Sequence, residues 1–184
     1  MALREIVRLG HPALRTPARE LSPPIADSAE LQALIDDMLE TMTAAHGVGL
    51  AAPQLGLGLQ LFVYGVSADN GDEESAIAPT VLINPMLEPQ PGELIYEWEG
   101  CLSIPDLRGL VPRHPGVRVR GLDRHGERLD FTAQGFTARI IQHEFDHLNG
   151  VVFLDRMHDL ESLSYGAEWE RYLTDAAEDA AAGD

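Results

Sequence analysis

At 184 residues and with an ordinary globular composition, the chain is long enough for one domain with its own core. Thirteen basic against thirty acidic side chains give a formal charge of -17, which argues against stable binding through nucleic-acid phosphates while leaving brief contact with a nucleoprotein open. The single cysteine, Cys101, excludes an intrachain disulfide, and the absence of a signal-like apolar start or of a run near the roughly 20 residues of a membrane span predicts a reducing cytoplasm.

The first twenty residues carry four arginines but also Glu5 and Glu20 and no serine, so they are expected to be folded rather than to be a transit peptide. Residues 4–9 read as a short strand, and His11-Pro12 opens a turn. Over residues 27–46, Leu31, Leu34, Ile35, Met38, Leu39 and Met42 recur at three-and-four spacing. This predicts an outer amphipathic helix with a capping box at Asp27 and Glu30 and a stop at Gly47. Residues 47–54, G-V-G-L-A-A-P-Q, superficially match a dinucleotide fingerprint. That motif must follow a strand and open a helix, and here a helix precedes it and Pro53 follows. The segment is therefore expected to be a loop whose small residues admit a close approach, with Gln54 offering an amide.

Residues 59–66, 80–84 and 92–98 read as strands, and residues 67–79 as an acidic solvated loop around Asn70-Gly71. Cys101 stands beside Gly100 in E-G-C-L-S; taken alone, a lone cysteine reads as a small buried hydrophobe. Residues 116–123 and 127–133 flank Arg124-His125-Gly126, a hairpin signal. A last helix is expected over residues 159–174, with Leu160, Leu163, Ala167 and Tyr172 facing inward. His11, His46, His114, His125 and His158 fall in turns or at element ends and read as surface residues. The expected domain spans residues 1–175, with residues 176–184 a frayed acidic tail.

The strongest chemical signal is Q-H-E-F-D-H-L at residues 142–148. A four-residue step on a helix sets His143 and His147 on one face, where two imidazoles can grip one ion and Glu144 can reach water beside it. Phe136 and Ile140 share the histidine stripe and Ile141, Phe145 and Leu148 a second one. Arg139, Gln142, Asp146 and Asn149 form the only polar stripe, so this helix is expected to be interior. Gly135 and Asn149-Gly150 mark its ends. Three separated helices among strands without a βαβ rhythm predict an α+β fold with mainly antiparallel pairing around that helix.

Three segments, G-V-G-L-A-A-P-Q, E-G-C-L-S and Q-H-E-F-D-H-L, in that order and at those intervals, resemble the peptide deformylases, over about residues 4–156. The resemblance implies that Cys101, His143 and His147 hold one divalent metal, most often iron(II), with zinc, nickel or cobalt as alternatives. A thiolate and two imidazoles leave one position of a four-coordinate site open to water, which is what a catalytic centre needs. The implied reaction removes the formyl group from N-formylmethionyl nascent peptides in a bacterial cytoplasm, with Glu144 as general base and acid and Gln54 and the Leu102 amide facing the developing negative oxygen. Residues 47–50, unhindered at Gly47 and Gly49, are expected to pair with an extended peptide as an added strand, and the resemblance implies a methionine pocket including Val48, Glu99, Gly100 and the outer part of the histidine helix. Arg139 departs from the Ile or Val of many relatives; its stem is expected to cover the apolar wall while its head reaches water, or else to narrow the choice of side chain. A transient meeting with the ribosome follows from such a substrate, without stable nucleic-acid or membrane binding. Two other readings stay open on residues alone. One is a zinc peptidase, whose third ligand would be Asp155 or Glu161 because Phe153 stands where the longer motif has histidine; the other is a non-catalytic formyl-peptide binder.

Overall fold

Strands with two opposite apolar faces need a layer on each side, and the computed structural model, which describes residues 2–22, 28–67 and 76–173, supplies both. One antiparallel sheet runs in the order β1 (Gly49–Ala51), β2 (Leu61–Val66), β3 (Ile77–Pro89), β6 (Gly116–Leu122) and β7 (Arg128–Gln134). A second contains β4 (Ile95–Cys101), β5 (Ile104–Arg113) and β8 (Ser164–Tyr165). The helices are α1 (Ala29–Ala44), α2 (Gly135–Leu148) and the short α3 (Gly166–Tyr172). The expected α+β class with antiparallel ladders is the one that forms. Among the described residues no helix is long and apolar enough to cross a membrane.

Strand β2 shows why the layers stack as they do. Leu61 and Val63 face Ile35, Met38 and Met42 of α1. Phe62 and Tyr64 face Ala138, Ile140 and Ile141 of α2. Both faces are buried, so the strand reads as a continuous apolar run rather than an alternating one. Each of the larger side chains contributes roughly 1.5–3 kcal/mol by leaving water. A third cluster joins Cys101, Ile104 and Val111 of the second sheet to Val152 and Phe153 after α2.

Local structure departs from the sequence reading at several places, each with a physical reason. Residues 4–9 form no strand; instead the Val7 amide donates to the Gln54 carbonyl and the Leu9 amide to the Ser103 carbonyl, both at 2.8 Å. Asp27 lies outside the described residues, and Ser28 caps α1 by accepting from the Leu31 amide at 3.2 Å. His46, with φ of 53°, takes the left-handed position after α1 expected of Gly47, because its ring can stay exposed there. Strand β5 was not expected: Pro105, Gly109 and Pro112 obscure its pattern, although Ile104, Val111 and Arg113 are buried along it. The final helix shrinks to β8 and the seven residues of α3, with none buried and with Leu160 and Tyr172 exposed. Asn70-Gly71 and the tail from residue 176 lie outside the described residues.

The end of α2 matches expectation in full. Gly150 has φ of 71°, its amide donates to the His147 carbonyl and that of Val151 to the Asp146 carbonyl, which satisfies the last turn. A β-carbon on Gly150 would also sit 2.8 Å from the backbone of Arg15, so glycine is required for packing as well as conformation. The polar stripe of α2, by contrast, is not a solvated face: Arg139, Gln142 and Asp146 are all buried.

Candidate active site

Strand β4 ends at Cys101, and the two-residue turn Leu102-Ser103 sends the chain back along β5, so the sulfur is delivered from a hairpin end toward α2. There the ligand atoms of Cys101, His143 and His147 lie within 4.8 Å of one another, and Cys101 Sγ is 3.3 Å from His147 Nε2. No carboxylate joins them among the described residues: Asp155 is tied to Arg15 and the Val152 amide, and Glu161 is exposed. Burial opposes charge on both rings. At His143, hydrogen bonds to Cys101 and Glu99 outweigh it and hold the pKa well above the ordinary value. At His147, burial, reinforced by the neighbouring His143 charge, lowers it well below. A neutral imidazole 3.3 Å from a sulfur, with a second imidazole beside them, is a donor set suited to a soft or borderline divalent ion.

Glu144 sits one residue on, buried, with Oε2 lacking any partner among the described residues. Its pKa is pushed up to about 7, chiefly by burial. Gly49 of β1 makes room for it, since a β-carbon there would overlap the Glu144 carboxylate. The close approach expected of the glycine loop is thus made by a side chain of the same protein. Within that segment Gly49–Ala51 form a strand rather than a loop, and β1 lies at the edge of its sheet. Gln54 follows in a 3-10 turn. Its Oε1 accepts from the Ala51 amide at 2.8 Å, which leaves its amide hydrogens facing Cys101 Sγ at 3.6 Å and Ser103 Oγ at 3.4 Å.

Glu99 contributes less to the cleft than to the ligands. Its carboxylate accepts from Arg113 Nε and Nη2 at 2.9 and 3.0 Å, from Arg139 Nη1 at 2.8 Å, and from His143 Nδ1 at 2.9 Å. Burial works to raise its pKa, but the bonds from His143 and Arg113 prevail and keep it well below the usual carboxylate range. When His143 gives up its second proton, an acceptor-only carboxylate keeps the remaining one on Nδ1, so the lone pair of Nε2 is the one offered to an ion. The network continues from Arg113 Nη1 to Asp146 at 2.6 Å and from Asp146 to Arg156 at 2.6 Å. Arg139 does not reach water as expected: it bonds Glu97 at 2.6 Å, the Val111 carbonyl at 2.9 Å and the Ile95 carbonyl at 2.7 Å, clamping β4 and β5 onto α2. Gln142 holds the turn after β5, its amide donating to the His114 carbonyl at 2.9 Å and accepting from the His114 amide at 3.1 Å. His114 is half-buried rather than on the surface.

A cleft of about 400 Å³ opens over this centre. Val48, Gly49, Gln54, Glu99, Gly100, Leu102, Arg139, His143 and Glu144 all line it, as do Phe136, from the expected histidine stripe, and Trp98 and Arg108, which the sequence reading did not single out. Arg113 was also missed, and with it the pairing of Asp146 from the polar stripe; their signal, opposite charges inside otherwise apolar segments, is visible only once β5 is recognised.

The sequence profile of the family described as Polypeptide deformylase matches residues 3–162. Peptide deformylase 2 of Bordetella bronchiseptica is 46% identical over 89% of this chain and 92% of its own length. Peptide deformylase 1 of Nitrosomonas europaea is 44% identical over the same shares. The crystal structure of the class I type b peptide deformylase of Acinetobacter baumannii with Met-Ala-Ser bound superposes with a TM-score of 0.78 at 34% identity, covering 85% of this chain and 99% of that one. With relatives this similar along nearly their whole length, and with a shared fold, the chain belongs to the peptide deformylase family of enzymes.

Proposed function

We propose that this chain hydrolyses the N-formyl group of peptides that begin with formylmethionine, releasing formate, with one divalent cation held by Cys101, His143 and His147. The observation that carries this is the convergence of one sulfur and two imidazoles beside a buried carboxylate with an unpartnered oxygen. The donor set suits iron(II), and zinc, nickel or cobalt would find the same three ligands acceptable. When bound, the cation supplies Lewis acidity and makes water a nucleophile at neutral pH.

The chain's own groups divide the remaining work. Glu144 takes the proton of the attacking water and passes it to the departing amine; a basicity near neutrality serves both transfers. The Gln54 amide and the Leu102 backbone N–H meet the charge that grows on the formyl oxygen. Strand β1, unpaired on its outer side among the described residues, accepts the peptide as an added strand through Val48 and Gly49. The methionine side chain enters between Val48, Gly100 and α2, with Glu99 and Arg139 forming a wall whose polar heads are already saturated. The Acinetobacter relative's bound Met-Ala-Ser supports a peptide of this kind as the substrate.

The test is formate release from formyl-Met-Ala-Ser, with its acetyl counterpart as control, by protein prepared anaerobically with iron(II). Formate from the formyl peptide alone is expected, and none from either overturns the reading. Two variants sharpen it. Cys101→Ala is expected to drop the bound cation from about one per chain to near none by elemental analysis, because two imidazoles alone hold such an ion weakly. Retention of the cation would assign the third ligand elsewhere and favour a peptidase. Gly49→Ala is expected to cut kcat by about 10²-fold with the melting temperature nearly unchanged, since a misplacement of the Glu144 carboxylate by about 1 Å has that scale of effect. Unchanged turnover would show that Glu144 tolerates displacement.

A further inference from the structure

The two donors assigned to the formyl oxygen come from different sheets. Gln54 stands in the 3-10 turn Ala52–Leu55, directly after β1 of the first sheet, whereas Leu102 stands in the turn between β4 and β5 of the second. Among the described residues no strand pairing joins the two sheets, so the spacing of the donors is set by whatever bridges their turns. The opening segment of the chain does so. The Val7 amide donates to the Gln54 carbonyl and the Leu9 amide to the Ser103 carbonyl, both at 2.8 Å. Ile6, Leu55 and Leu102 pack against the same apolar cluster, which holds the three segments together from below.

Side chains close the ring of contacts. Gln54 Nε2 donates to Ser103 Oγ at 3.4 Å, and both residues are almost wholly buried. The Ala51 amide, donating to Gln54 Oε1 at 2.8 Å, decides which way round the carboxamide sits, and Ser103 limits its swing. The other amide hydrogen is left facing Cys101 Sγ at 3.6 Å, on the side of the proposed cation. A donor that must be aimed before charge develops depends on such restraint, since a misplacement of about 1 Å can cost about 10²-fold in rate.

Resting on the deformylase reading above, we propose that residues 7–9 and Ser103 form a clamp that holds the Gln54 amide and the Leu102 N–H at the spacing the formyl oxygen requires. Neither Val7, Leu9 nor Ser103 lines the cleft, so they are positioning residues that act through Gln54 and Leu102. The serine of E-G-C-L-S thereby acquires a role distinct from those of its neighbours Cys101 and Leu102.

Leu9 can lose its amide without losing its turn. The His11 amide donates to the Arg8 carbonyl at 3.0 Å and Gly10 has φ of 109°, so Leu9 occupies the second position of a turn that accepts proline. The experiment measures kcat and KM on formyl-Met-Ala-Ser for metal-loaded Ser103→Ala, Leu9→Pro, Gln54→Ala and the Ser103→Ala/Gln54→Ala double variant, with cation content and Tm alongside. Loss of a whole donor costs about 10²–10³-fold in kcat, so a loosened one is expected to cost less. Ser103→Ala is expected to lower kcat by about 5- to 30-fold and Leu9→Pro by about 3- to 10-fold, with KM within about two-fold and the cation retained. In the Gln54→Ala background, Ser103→Ala is expected to change kcat by less than about two-fold, because the donor it steadies is gone.

A hydroxyl that merely supports the fold would act equally in both backgrounds, and that outcome overturns the clamp. So does a loss confined to KM, or kcat equal to the parent's in both Ser103→Ala and Leu9→Pro. Should Ser103→Ala fail to fold, Leu9→Pro decides alone, and unchanged kcat there overturns the proposal. Absence of formate from the unsubstituted protein instead overturns the deformylase reading, and the clamp falls with it.

Discussion

Glu144→Gln is expected to lower kcat by on the order of 10²–10⁴-fold while the cation stays bound. Glutamine matches glutamate in shape and leaves Cys101, His143 and His147 in place, so the substitution separates proton transfer from ion holding. The carboxylate is buried against Gly49 with one oxygen unpartnered among the described residues, whereas Glu99 is saturated by two arginines and His143. Glutamine in this place presents an amide that cannot take a proton from water. Formate assays paired with elemental analysis check the expectation. Turnover within ten-fold of the parent would remove Glu144 from the proton path.

Arg113→Met is expected to cost about 3–5 kcal/mol of stability, because it strips two buried carboxylates of their shared cation. Arg113 makes two bonds to Glu99 and one to Asp146, and all three side chains are buried. Methionine fills much of the space but answers neither charge. In a chain of this size the loss corresponds to a fall of roughly 6–20 °C in Tm, read by a thermal melt. The pH dependence has a definite sign. Glu99 is held below the usual carboxylate range, so its contribution is present above that range and lost only in strong acid. Without Arg113 the carboxyl protonates more readily, and the deficit is expected to be smaller at pH 5 than at pH 8. A Tm within about 2 °C of the parent at both values would show that Arg139 and His143 suffice to hold Glu99.

What could be read beforehand depended on how local the cause was. His143 and His147 declared themselves because a four-residue step on one helix is a local fact. Cys101 did not: its role came from resemblance, and its geometry from a hairpin whose second strand, β5, was hidden by Pro105 and Pro112. The polar stripe of α2 was legible as polar but not as buried, because Arg139 and Asp146 find their partners on β4, β5 and the segment after α2. Glu99 looked like part of a pocket wall; that it orients His143 follows only from distances across three elements. The overreach at the end of the chain has the opposite cause. Leu160 and Tyr172 keep helical spacing, but the described structure offers no layer there for them to pack against.

The opening segment of the chain carries a consequence for assembly. Arg4 pairs with Asp37, the Val7 and Leu9 amides reach Gln54 and Ser103, and the Ala18 amide reaches Leu148 at the last turn of α2. Residues synthesised first are therefore completed by some of those synthesised last, and pairings so remote in sequence slow the search for the native arrangement. During translation, the Ala18 amide must wait for its native partner until the histidine helix has left the exit tunnel, whereas Arg4 and Val7 meet Asp37 and Gln54 sooner.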